Sequence, residues 1–271
     1  LFIIILNKEY LLLLLLNKIK NIMKKLITLF AFFFVLSTHG QTAMSRTIDV
    51  KEGQMDKFIQ MAGKKTKMYN GSDADTQFYT WRILTGPNAG KIWRVEVGES
   101  LASFDTDPYS SPGGKYWQKN VSPTIANNNV SRTVTWQRAA GASWSPDNPT
   151  NDLMRRAIFY TYKESHEEDF WRYRTRIVEA RKAFNDQSRP ATSTWWCGSG
   201  CDGPTVVVFF SHSDYADQMN DSQGNQALWD KYDEIYGNGS HEQDVNRMIQ
   251  SLTENGQRIR HLMLIPEASS N

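Results

Sequence analysis

Cysteine is nearly absent: Cys197 and Cys201 are the only two in 271 residues. A four-cysteine zinc site is therefore excluded, and their Cys-x3-Cys spacing is not the Cys-x-x-Cys of redox pairs. Charge of one sign is also lacking, since 31 Lys and Arg face 29 Asp and Glu for a net +2. That balance excludes a polybasic nucleic-acid surface and an acidic disordered chain alike. The one locally basic stretch, Arg172, Arg174, Arg176, Arg181 and Lys182, is offset by Glu164, Glu167, Glu168, Asp169 and Glu179. No nucleic-acid partner is expected. Missing too are a P-loop, a dinucleotide glycine fingerprint, a His-Glu-x-x-His and a Gly-x-Ser-x-Gly motif. Gly198-Ser-Gly200 sits in a turn between the cysteines and is no phosphate cradle.

What is present begins with a processing pattern. Met23-Lys-Lys25 precedes the apolar run Leu26–Leu36 and the small, polar Ser37–Gln41. A run of roughly 11 apolar residues suits a secretory signal and is too short to span a bilayer. Residues 1–40 are read as an upstream segment and signal peptide, with Met23 as initiator and cleavage near Gly40. The alternative is an anchor through Phe2–Leu16, broken by Asn7, Lys8 and Glu9. The expected location is periplasmic or secreted, with no stable membrane anchor after processing. In an exported chain a close cysteine pair is read as a disulfide, so Cys197 and Cys201 are expected to staple the turn that holds them.

Two stretches dominate the mature chain. Gln77–Val97 and Ala191–Ser211 are each an aromatic, β-branched run, a Gly-rich turn and a second such run, the signature of a hairpin. Each follows an amphipathic helical stretch. In the first half, Met55, Phe58, Ile59, Ala62, Thr66 and Tyr69 share one stripe. In the second, Phe170, Tyr173, Ile177, Ala180 and Phe184 do so, behind a capping box expected from Ser165 and Glu168. Each hairpin also precedes a Trp-bearing helical segment with matched spacing, Lys115-Tyr-Trp-Gln-Lys119 and Ala227-Leu-Trp-Asp-Lys231. Alternating strands open and close each half. The order βαββαβ thus occurs twice, over residues 45–138 and 154–266, joined by a Pro-broken linker at 139–153 and followed by a tail at 267–271.

A βαββαβ unit makes a four-stranded antiparallel sheet with both helices on one face, so the other face must be covered. In this chain the arrangement resembles the dimeric α+β barrel superfamily, with the usual two subunits fused in tandem. The resemblance implies an α+β fold of ferredoxin-like repeats forming a pseudo-dimeric barrel in one chain. It also admits cofactor-free monooxygenases, haem-binding branches, cyclases and binding proteins, so the fold does not choose the function.

The expected activity is non-covalent binding of a small organic ligand between the two sheets. The alternatives are an oxidative enzyme, cofactor-free or haem-dependent, and a cell-envelope interaction module without a pocket. No cofactor or metal is expected on the main reading; a haem would need an axial histidine, for which His212 and His261 are the candidates. On the first hairpin, Tyr79, Trp81, Ile83, Trp93, Val95 and Val97 share one face, while Phe78, Thr80, Arg82, Ile92, Arg94 and Glu96 share the other. The apolar set is expected against the helices and the mixed set toward the inter-sheet space. The predicted ligand-binding residues are accordingly Arg82, Arg94 and Glu96, with Trp136 and His261 on the closing strands, and the predicted ligand carries an acidic group.

Overall fold

The β-branched and aromatic runs form strands, and eight of them close into one antiparallel barrel. The computed structural model describes residues 41–105, 109–127, 133–147, 152–185, 187, 189–222 and 225–270. The readings for residues 1–40 lie outside the described residues, as does part of the 139–153 linker.

The first half runs β1 (Thr42–Ile48), α1 (Met55–Tyr69), β2 (Thr76–Ile83), β3 (Ile92–Gly98), α2 (Pro112–Tyr116) continuing as a π-turn, and β4 (Val134–Arg138). The second runs β5 (Met154–Tyr162), α3 (Glu167–Phe184), β6 (Thr192–Ser199) and β7 (Thr205–His212). It ends with α4 (Tyr215–Ser222), α5 (Gln226–Tyr236), α6 (Ser240–Ser251) and β8 (Leu252–Leu264). Each half contributes its strands in the same order, β4-β1-β3-β2 and β8-β5-β7-β6. Two seams, β2 with β8 and β4 with β6, close the ring. Closure leaves no unpaired edge, which removes the aggregation hazard of two open sheets. The protein is therefore a mixed α+β chain built on a closed eight-stranded barrel, and residues 40–271 form a single unit.

Every neighbouring pair in the ring is antiparallel, so β1, β2, β5 and β6 all run the same way. Their first residues consequently gather at one end of the barrel. Helices α1 and α3 pack on the outer faces of the two halves. α1 covers Ile48, Ile92 and Ile265 with Phe58 and Ala62. α3 covers Ile158, Val206, Val208 and Phe210 with Phe170. At Gly63 of α1 a Cβ would stand 2.1 Å from the Glu267 carbonyl oxygen, so only glycine lets the C-terminal Pro266–Ala268 turn lie against the helix.

Three details differ from the sequence reading. The start of α3 carries no capping box: a 3-10 turn over Glu164–His166 precedes it, and the Ser165 hydroxyl pairs with its neighbour His166 Nδ1. The described part of the 139–153 connection is packed and not loose, with Ala142, Ser143 and Trp144 buried and Trp144 bridged to Thr192. The third difference is the direction in which the first hairpin faces, and it decides the site.

A candidate binding cavity in the barrel

Inside the barrel lies a cavity of about 270 Å³. Its walls come from alternate residues of the two hairpins. Tyr79 and Trp81 of β2 stand beside Trp93, Val95 and Val97 of β3, and Trp195 of β6 beside Val207 and Phe209 of β7; Trp136 of β4 closes the ring. Phe159 of β5 packs against Trp93 and Trp136 in the barrel interior. The polar lining residues are Gln41, Gln77, Arg155 and Ser193, which stand at the starts of β1, β2, β5 and β6. Because those strands run the same way, the four form a polar mouth at one barrel end. An aromatic chamber with a polar rim at the mouth of a β-barrel is the usual build of a small-molecule site.

Three polar atoms on the aromatic walls are hydrogen-bonded internally. Trp136 Nε1 donates to the Ser45 hydroxyl at 2.8 Å and Trp195 Nε1 to the Ser193 hydroxyl at 2.7 Å. The Tyr79 hydroxyl donates to Gln77 Oε1 at 3.0 Å, and burial raises its pKa, so it is held as neutral phenol. Arg155 is the one cation among the lining residues. Its Nη1 donates to the main-chain carbonyls of Asp152 and Met154, at 2.6 and 2.9 Å, and its guanidinium lies 5.4 Å from the Trp81 ring centre. Burial lowers its pKa and the Asp152 carboxylate opposes that shift.

The expected placement of the first hairpin is inverted. The set Tyr79, Trp81, Trp93, Val95 and Val97 faces the interior. The mixed set faces outward. Arg82 is exposed. Arg94 is buried, outside the barrel and beneath α1: it donates to the hydroxyls of Thr66 and Thr80 and to the Ala268 carbonyl, with its guanidinium 4.2 Å from the Phe78 ring centre. Glu96 accepts from the Thr76 hydroxyl at 2.7 Å on the same outer face. His261 also faces outward, beside Tyr215 of α4 and the Thr85 hydroxyl. Of the five predicted ligand-binding residues only Trp136 lines the cavity. The physical reason is that α1 buries Ala62 and Thr66 beside Gly63, against which the Pro266–Ala268 turn lies, so its inner surface there is small and hydroxyl-bearing. Such a surface accommodates a hydrogen-bonded guanidinium, while four indoles fill a barrel interior far better than they would a narrow helix seat.

A haem does not fit this lining. No histidine, cysteine or methionine is among the lining residues, and the one phenol is bonded and kept neutral. His212 of β7 is fully buried on the outer side, with its Nδ1 3.6 Å from Asp217 Oδ2. Asp214, two residues on, accepts from the Asp217 main-chain N–H. Among the described residues no three His, Cys, Asp or Glu side chains come together as metal ligands. Cys197 and Cys201 are joined, as expected, and pack against the interior cluster.

Sequence reasoning grouped the interior residues of β2 and β3 correctly but turned them the wrong way, and it missed Arg155. A usable signal was the composition of the α1 stripe, whose Thr66 and Ala62 suit a cation better than an indole.

No protein-family model and no curated protein sequence matches the chain. Solved structures do. A candidate monooxygenase from Lactobacillus acidophilus superposes with a TM-score of 0.55 at 8% identity, over 86% of this chain and 96% of that one. A candidate monooxygenase from Fusobacterium nucleatum gives 0.57 at 12%, over 83% and 92%. An anthrone oxidase-like protein gives 0.53 at 10%, over 84% and 92%. At these identities the likeness is one of fold: the chain shares the dimeric α+β barrel architecture of these proteins.

Proposed function

We propose that this protein holds a small aromatic molecule inside its barrel and oxidises it with dioxygen, without haem. The observation that carries the reading is the aromatic cavity inside the barrel, walled by Trp81, Trp93, Trp136 and Trp195. The fold neighbours include candidate monooxygenases and an anthrone oxidase-like protein, which favours oxidation over simple binding. A fitting reaction is conversion of an activated methylene to a ketone: both hydrogens leave with one oxygen atom as water, and the other oxygen enters the carbonyl. The substrate supplies the electrons, so no reductant is needed. A methylene between an aryl ring and a carbonyl in a two-ring compound, as in 2-tetralone, is such a group. Oxygen uptake with 2-tetralone should exceed the uncatalysed rate, and Val95→Trp, which fills the cavity, should abolish the excess. Uptake equal to the buffer rate, or unchanged in the filled variant, contradicts the reading.

A second reading, binding without turnover, is favoured by a lining in which, among the described residues, no carboxylate and no imidazole stands to act as general base. It predicts saturable binding with no oxygen uptake. In either case we read the chain as a tandem duplication, a ferredoxin-like unit used twice so that one chain makes a barrel usually made by two. The matching strand orders of the halves support this. The Cys197–Cys201 disulfide is compatible with export, and no helix among the described residues is long and apolar enough to cross a membrane.

A further inference from the structure

We propose that the molecule held in the barrel carries a carboxylate, and that Arg155 at the mouth recognises it. The inference rests on the reading of the cavity as a binding site and goes on to name the ligand class.

Arg155 is the second residue of β5, the alternating position that points inward, whereas its neighbour Arg156 points out and pairs with Asp221. The two arginines differ in how their charge is met. Arg156 has a carboxylate partner at 3.5 Å. Among the described residues no carboxylate stands in ion-pair contact with Arg155, and its hydrogen bonds go to two neutral carbonyls. Those bonds use Nη1 and hold the guanidinium plane in place. A fixed, largely desolvated cation on the rim of an aromatic chamber is costly to keep unless something anionic meets it. Burial lowers its pKa, and the nearby Asp152 carboxylate offsets that shift only in part. A carboxylate matches a guanidinium in a two-pronged geometry that a neutral oxygen cannot copy. Gln41, Gln77 and Ser193 on the same rim offer further hydrogen-bonding groups to the polar end.

The apolar end of the ligand follows from the chamber. A cavity on the order of 150 Å³ takes a benzene ring, so about 270 Å³ suits one or two fused rings. Indole faces stack on such rings in offset or edge geometry. The ligand class is therefore a one- or two-ring aromatic carboxylate, ring inward and acid at the mouth.

The probes are 2-naphthoate and its neutral isostere 2-naphthalenemethanol, titrated into the whole protein by calorimetry. The wild type should bind the acid at least tenfold more tightly than the alcohol. Arg155→Gln should weaken the acid far more than the alcohol and bring the two within about twofold, and Arg155→Lys should restore part of the preference. Val95→Trp should abolish binding of both. If both probes bind equally, or if Arg155→Gln keeps the preference with a native melting curve, the carboxylate inference falls while the cavity reading stands. If neither probe binds, or Val95→Trp leaves both affinities unchanged, the cavity reading fails and takes this inference with it. Should Arg155→Gln not fold, the Arg155→Lys titration decides alone: an undiminished preference for the acid shows that a fork geometry is not what reads the ligand.

Discussion

Arg94 donates from Nη2 to the Thr66 hydroxyl at 2.7 Å, across the interface between β3 and α1. That contact marks the outer face of the first hairpin. With the guanidinium held under the helix, Trp93 and Val95 on either side of it in sequence must point into the barrel. Arg94 is thus a structural residue on the outer face. Arg94→Ala should destabilise the protein by about 1–3 kcal/mol, since it removes three buried hydrogen bonds, although the Thr66 and Thr80 hydroxyls keep their bonds to the Ala62 and Ala268 carbonyls. Affinity for 2-naphthoate should change less than twofold. Urea unfolding together with calorimetry checks both; a large loss of affinity at unchanged stability would return Arg94 to the binding site.

Stability should fall as pH drops below neutrality. Burial lowers the pKa of His212, His241 and His261 in the folded chain below the ordinary histidine value of about 6.5. The unfolded chain then binds more protons than the folded one as pH falls through 6.5, so acid favours unfolding until the folded-state values are reached. His212 contributes most plainly, because it is fully buried with neither ring nitrogen hydrogen-bonded among the described residues. Around it stand Asp217, Asp221 and Asp152, which favour its charged form, and Arg156, which opposes it. Each such histidine adds at most about 1.4 kcal/mol per pH unit. Urea midpoints between pH 7.5 and 5.5 should decline, and His212→Gln should flatten the slope. A slope unchanged by that substitution would show that His212 does not titrate on unfolding in this range.

The Cys197–Cys201 staple is local, with four residues of sequence separation. In the chain-entropy picture so short a loop contributes about 2 kcal/mol. A Cys197→Ser, Cys201→Ser double variant should lose that much in urea and remain folded, because the β4–β6 and β6–β7 ladders still hold the strand. Complete unfolding of the variant would mean that the staple secures the whole barrel seam.

Residues 41–139 alone should not be a soluble monomer. Cutting the chain there exposes the β2 and β4 edges, which pair with β8 and β6 in the intact barrel, together with the indole-bearing inner face. Light scattering should show dimers or aggregates. A monodisperse monomer with native circular dichroism would argue against a shared interior.

The sequence made the element order and both hairpins legible because turn residues and alternation are local signals. The facing of the strands was not local. In β7, Val206, Val208 and Phe210 alternate with Val207 and Phe209, so both faces are apolar and periodicity says nothing of which is inside. In β5 two adjacent arginines take opposite faces, and only the closed ring shows that Arg155 is the inner one. The carbonyl that receives Arg94 comes from the Pro266–Ala268 turn, 174 residues away in sequence. No window of sequence contains that pair. The disulfide was readable because the spacing of the two close cysteines left few other uses for them.

The account stands or falls on where an aromatic molecule sits. Crystals of the protein grown with 6-bromo-2-naphthoate, measured at the bromine absorption edge, give that position directly. The account predicts one strong anomalous peak inside the barrel, among Trp93, Trp136 and Val207, with the carboxylate density against Arg155. A bromine peak found only outside the barrel, with the interior free of it, would contradict the account.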